Sequence, residues 1–73
     1  MTVEEWQNEL VSEVIRLRQE KGLTQKQLEQ LSGVKQPVIA RMETGVNIPQ
    51  LATVIKLLEP LEKTLAVVPM ESD

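Results

Sequence analysis

Two capping boxes and a set of helix stops constrain the fold of this chain more than any other feature. Thr2-Val3-Glu4-Glu5 and Thr24-Gln25-Lys26-Gln27 each place a threonine three residues before a Glu or Gln. In this pattern each of the two side chains satisfies a free backbone N–H at a helix start. The residues expected to end helices are Gly22, Gly33, Gly45 and Pro60. The chain is therefore predicted to be mainly α-helical over residues 1–60, as a four- to five-helix bundle.

Apolar residues recur at three- and four-residue spacing within each predicted helix, and this spacing identifies the buried face. The residues predicted to be buried are Val3, Trp6, Leu10, Val14 and Leu17 in the first helix, Leu28 and Leu31 in the second, Ile39 and Met42 in the third, and Leu51, Val54, Ile55 and Leu58 in the fourth. Trp6 is expected to anchor the core, with a role in a protein interface as the alternative.

The character of the sequence changes after Pro60. Thr64-Leu65-Ala66-Val67-Val68 is rich in β-formers, has no helical period and ends before Pro69. We predict one short strand within residues 61–69, followed by a tail over 70–73. No second segment resembles a strand, so the backbone groups of this one need a partner from another chain, unless the segment is not a strand. The segment therefore predicts a homodimer.

Length and composition exclude several function classes. The chain has 73 residues, no cysteine and no histidine. A disulfide is impossible, a zinc site is not expected, and Cys/His and Ser/His/Asp catalysis are ruled out. We expect no enzyme activity, no cofactor and no metal. No apolar run is long enough to cross a bilayer, so a soluble cytoplasmic protein of one domain is expected.

The net charge of −3 is distributed unevenly along the sequence. Residues 1–14 carry four acidic side chains (−4), residues 15–45 carry six basic and three acidic ones (+3), and residues 46–73 carry two basic and four acidic ones (−2). The acidic segments favour a basic protein partner. The positive centre favours phosphate, but its small excess predicts weak DNA binding by one chain and stronger binding when two half-sites are engaged.

Residues 24–45 have the form of a helix-turn-helix: a capped short helix, a glycine turn and a second short helix. Gln25 and the N–H groups at the start of the first helix are suited to phosphate, with Lys26 and Lys35 as further candidate phosphate contacts. The second helix is narrow enough for the major groove and exposes Gln36, Ala40 and Arg41. Gln can pair with adenine and Arg with guanine, so these side chains are suited to base edges.

At these residues the sequence resembles the lambda-repressor/Cro-like (Xre) helix-turn-helix family. The matching positions are Gly22, Leu23, Thr24, Gln25, Leu28, Ser32, Gly33, Val34, Gln36, Ile39, Met42, Glu43 and Gly45, followed by Ile48-Pro49-Gln50-Leu51. The resemblance implies a lambda-repressor-like DNA-binding bundle over residues 16–58. It also implies that Gln25 contacts a phosphate and that Gln36, Pro37 and Arg41 face the groove.

Two residues depart from the family pattern. Glu29 stands where the family usually has a small residue at the close approach of the two helices, which puts the packing angle in question unless the carboxylate bends away. Pro37 replaces a residue that often hydrogen-bonds DNA, so one polar contact is lost, although the ring can touch a thymine methyl.

The end of the chain resembles HigA-type antitoxins, which commonly read L-G-K-x-L-x-[IV]-x-P. Here the sequence is Leu61-Glu62-Lys63-Thr64-Leu65-Ala66-Val67-Val68-Pro69, with Glu62 in place of the usual glycine. This resemblance implies a repressor that binds a palindromic operator on double-stranded DNA, controls its own operon and neutralises a small basic toxin. A solitary Xre-type regulator, or a protein-interaction module that does not read DNA, are the alternatives.

Overall fold

The capping boxes and glycines set the helix bounds in the computed structural model, which describes residues 1–70. The elements are α1 (Val3–Glu20), α2 (Gln25–Ser32), α3 (Gln36–Glu43), α4 (Leu51–Leu58) and a 3-10 turn (Glu59–Leu61). Both predicted capping boxes form: Thr2 exchanges hydrogen bonds with Glu5, and Thr24 exchanges them with Gln27, at 2.8–3.1 Å. The predicted mainly helical architecture is confirmed. Among the helices of residues 1–70, none combines the length and apolar character of a membrane span.

Gly33 forms the tight turn that joins α2 to α3. Its φ is +80°, in the left-handed region, and its N–H donates to the Glu29 carbonyl at 2.8 Å. Open space surrounds the position of an added Cβ, so the backbone conformation, not crowding, favours glycine here. The next residue, Val34, is buried, so the turn is held against the core.

The core lies between the four helices and the 3-10 turn and is entirely aliphatic or sulfur-containing. Its buried members are Val14, Leu28, Val34, Ile39, Met42, Val54, Leu57, Leu58 and Leu61. Partly buried side chains of Leu10, Val11, Leu17, Leu23 and Leu65 pack against them. Every helix contributes at least one buried residue, so the core fixes α2 and α3 relative to α1 and α4.

Several side chains predicted to be buried are exposed instead. Trp6 is 51% exposed and Val3 is 75% exposed, because the first turns of α1 extend beyond the bundle, so the prediction of Trp6 as a core anchor is wrong. Leu31 on α2 is also exposed. On α4 the predicted set of buried residues is partly wrong. Leu51 and Ile55 are exposed, whereas Leu57 is fully buried.

The predicted strand over Thr64 to Val68 is not present in the single chain. The segment has no regular secondary structure, because the rest of residues 1–70 offers no strand to pair with it. Leu65 packs against the core, but Val67 is fully exposed and Val68 is 72% exposed. The first half of the segment is therefore anchored, and the second half lies in solvent.

Glu62 ends the 3-10 turn in the left-handed conformation, with φ of +63°. It is the one non-glycine residue with positive φ within residues 1–70. A Cβ is disfavoured in this conformation, which glycine adopts without that cost. Glu62 therefore occupies a position where the backbone conformation favours glycine.

Candidate nucleic-acid interface

Helices α2 and α3 pack against each other and bring their N-terminal ends close together. The predicted contact residues Gln25 and Gln36 lie at these ends and are both half-buried. Pro37 and Arg41 are exposed on α3, with Ala40 half-buried between them. Lys26 and Lys35 are also exposed. The fold thus gathers the predicted site residues on the α2 and α3 pair.

A chain of polar side chains links the two glutamines to the interior. Gln36 Nε2 donates to Gln25 Oε1 at 2.8 Å, and Gln25 Nε2 donates to Glu43 Oε1 at 3.0 Å. Glu43 in turn receives two hydrogen bonds from Arg18, from Nε and Nη2, each at 2.8 Å. The side chains of three helices are joined in one network that connects Gln36 to Arg18 through Gln25 and Glu43.

The Arg18–Glu43 ion pair is the anchor of this network. The two side chains are only 12% and 9% exposed, and the Arg18 Nη1 also donates to the Leu23 carbonyl at 2.7 Å. A bidentate pair with its remaining groups satisfied is rigid, because guanidinium and carboxylate match in plane and spacing.

The Gln36 carboxamide retains the groups that adenine requires. One hydrogen of its Nε2 is donated to Gln25, and the other has no acceptor within residues 1–70. Its Oε1 accepts no hydrogen bond from residues 1–70. Adenine offers one acceptor and one donor in the major groove, so a fixed amide with one free N–H and one free oxygen is complementary to it.

Glu29 caps α3 from the neighbouring helix. The N-cap residue of α3 is Lys35, whose side chain makes no capping bond, and Glu29 Oε1 instead accepts from the Gln36 N–H at 2.9 Å. The carboxylate also pairs with Lys26 at 3.2 Å. It therefore bends toward the start of α3, and the larger residue is accommodated at the close approach. The sequence of α3 does not predict this cap, because the capping residue lies on another helix. The one hint is that position 35 holds no Ser, Thr, Asp or Asn, so the N-cap residue does not supply the bond itself.

The Glu29 cap also makes the stability of the fold depend on pH. The pKa of the Glu29 carboxyl is lowered, first by the Gln36 N–H and then by the Lys26 ammonium. A lowered folded-state pKa means that the contribution of Glu29 to stability is complete at neutral pH. It is lost as the pH falls below the ordinary glutamate range and through the folded-state pKa.

The basic side chains at the site differ in whether they form an ion pair. Lys26 is held by Glu29, whereas Lys35 and Arg41 form no ion pair within residues 1–70. Arg16 is paired with Glu13 and Glu20 on the surface of α1 and does not join the site. Lys35 at the start of α3 and Arg41 at its last turn therefore present unneutralised charge along this helix.

Comparison with known proteins agrees with this geometry. The model of the helix-turn-helix family matches residues 14–68. An uncharacterized HTH-type transcriptional regulator from Haemophilus influenzae is 61% identical over 61 residues, which are 84% of this chain and 62% of that protein. The uncharacterized HTH-type transcriptional regulator y4dJ from Sinorhizobium fredii is 40% identical over 50 residues, which are 68% of this chain and 65% of that protein. The chain thus spans less than two thirds of the length of either regulator.

A solved structure extends the comparison to the whole bundle. A chain described as a toxin-antitoxin module from Streptococcus pneumoniae superposes with a TM-score of 0.76 at 55% identity, over 97% of this chain and 84% of that one. The family match covers well over half of the sequence, including every helix from the middle of α1 onward. The chain therefore belongs to the helix-turn-helix family.

Proposed function

We propose that this protein is a sequence-specific DNA-binding repressor that inserts α3 into the major groove. The supporting observation is the network in which the largely buried Arg18–Glu43 pair holds Gln25, and Gln25 holds Gln36 at the start of α3. A side chain fixed before binding loses little conformational freedom on contact with a base, which favours specificity. The regulator names of two relatives agree with this proposal.

Each site residue has a role in the proposed complex. Gln36 and Arg41 contact base edges, while Pro37 and Ala40 lie between them as apolar contacts for thymine methyl groups. The residues that contact phosphate are Gln25, Lys26 and Lys35. Because few positive charges are available, a palindromic operator that engages two chains supplies the affinity that one chain lacks.

The protein is further proposed to be the antitoxin of a type II pair that controls its own operon. The similarity to a chain from a toxin-antitoxin module supports this role, as does the HigA-like tail. Co-expression with the product of the adjacent gene should restore growth if that product is toxic. A harmless neighbour, or none, would favour a solitary regulator.

The homodimer is proposed to form through Thr64 to Val68, as two antiparallel strands related by a two-fold axis. Leu65 fixes the start of the segment on the core, and the exposed Val67 and Val68 are free to pair. A second copy satisfies the backbone groups of the strand and covers its edge. Burial of these apolar side chains adds stability to a small domain, at about 25 cal/mol per Å².

Val67→Pro is expected to give monomers, because proline removes a backbone donor from the strand ladder. The variant should also lose operator binding and show a melting temperature that no longer rises with concentration. Val67→Thr is the matched control, since it keeps the N–H and the β-branched shape. Sedimentation that shows a monomeric wild type at about 100 μM, or a dimeric Val67→Pro, would refute this interface.

A further inference from the structure

The first turns of α1 carry an apolar surface that the bundle covers only in part. Val3, Trp6 and Leu10 lie on the same helix face as the fully buried Val14. Exposure falls along this face from 75% at Val3 and 51% at Trp6 to 0% at Val14. We name Val3, Trp6 and Leu10 the α1 stripe. Tryptophan is enriched among the residues that dominate binding energy at protein interfaces, so its exposure here favours an interaction site.

The charged side chains that precede Arg16 on α1 are all acidic. Glu9 is the i+3 neighbour of Trp6, and Glu4 and Glu5 occupy the same turns. Neither Glu4 nor Glu9 forms an ion pair within residues 1–70, and no basic side chain precedes Arg16. The stripe therefore lies in a field of unneutralised negative charge.

The exposed apolar side chains and the neighbouring carboxylates together indicate what kind of molecule binds the α1 stripe. DNA is disfavoured because its phosphates meet the glutamates, and a second copy is disfavoured because a two-fold contact on the stripe brings like charges together. A basic protein with an apolar cleft satisfies both the indole and the carboxylates. We infer that the α1 stripe is the docking site for the basic toxin of the pair, an inference that rests on the proposed antitoxin function.

The single tryptophan allows a direct test. The chain is labelled with 5-fluorotryptophan, which marks Trp6 alone, and the unlabelled product of the adjacent gene is added. The ¹⁹F resonance of Trp6 should shift on complex formation, because the indole leaves solvent. A complex that forms without any shift would overturn the docking site. A shift that depends on the concentration of the chain alone would also overturn it, in favour of a second copy.

Affinity measurements test whether the α1 stripe itself contacts the toxin. Trp6→Ala should weaken toxin binding about 30-fold, while Leu31→Ala, which truncates a comparably exposed side chain on α2, should change it less than about twofold. Glu4→Gln/Glu9→Gln should slow association about tenfold at low salt and much less at high salt. Operator binding by all three variants should match wild type, which checks that they fold.

The outcomes distinguish two failures. If wild type does not bind the product of the adjacent gene, the antitoxin proposal fails and this inference fails with it. If wild type binds but Trp6→Ala binds equally well, the antitoxin proposal stands and the docking site is wrong.

Discussion

Replacing Arg18 by alanine is expected to lower the free energy of unfolding by up to about 3–5 kcal/mol, because it leaves the largely buried Glu43 carboxylate without its charged partner. For a domain of 73 residues, the total is about 4–11 kcal/mol. The change therefore removes a large part of the stability. Urea or thermal denaturation followed by circular dichroism measures it directly.

Arg16→Ala is the matched control for this experiment. Arg16 belongs to the same helix and pairs with two glutamates, but its side chain is 53% exposed. Solvent screens such pairs, so little measurable change is expected. Arg18→Met/Glu43→Leu should be more stable than Arg18→Ala, because it removes both charges together. Equal stability of Arg18→Ala and Arg16→Ala would show that the buried pair does not anchor the site.

The double variant Gln36→Ala/Arg41→Ala is expected to lose about 2–6 kcal/mol of specific DNA affinity, since each base contact contributes about 1–3 kcal/mol. Its affinity for random DNA should fall much less, because the phosphate contacts proposed for Lys26, Lys35 and Gln25 are retained. Fluorescence anisotropy with a selected operator and with a scrambled duplex measures both affinities.

Lys26→Ala serves as the comparison variant for the groove contacts. It should weaken specific and non-specific binding alike and lower the salt dependence, because a phosphate contact carries no sequence information. If the Gln36→Ala/Arg41→Ala protein keeps wild-type affinity for the operator, α3 is not the helix that reads DNA.

Helix positions could be predicted from the sequence because their signals are local. Thr2 and Thr24 mark helix starts through bonds that span three residues, and Gly33 marks a stop through its own backbone. Buried faces were harder to predict. On α4, Leu51, Ile55, Leu57 and Leu58 are all apolar, and apolar spacing alone does not show which of them are buried.

The connections of the site depend on residues distant in sequence. The types of side chain expected at the DNA interface were evident, but not the hydrogen bond between Gln25 and Gln36, which requires the packing angle of α2 on α3. The Glu29 cap likewise joins two helices. Trp6 followed the helical period of the core face but lies beyond the end of the bundle, because periodicity identifies a face and not the length over which it is covered.

Footprinting of the DNA upstream of the gene tests the central claim most directly. The proposed complex predicts two protected half-sites related by two-fold symmetry, with centres about 34 Å apart or a multiple of that distance. Gln36→Ala/Arg41→Ala should abolish the protection at concentrations where wild type saturates the site. Uniform or absent protection by wild type, at salt concentrations that suppress non-specific binding, would contradict sequence-specific recognition by α3.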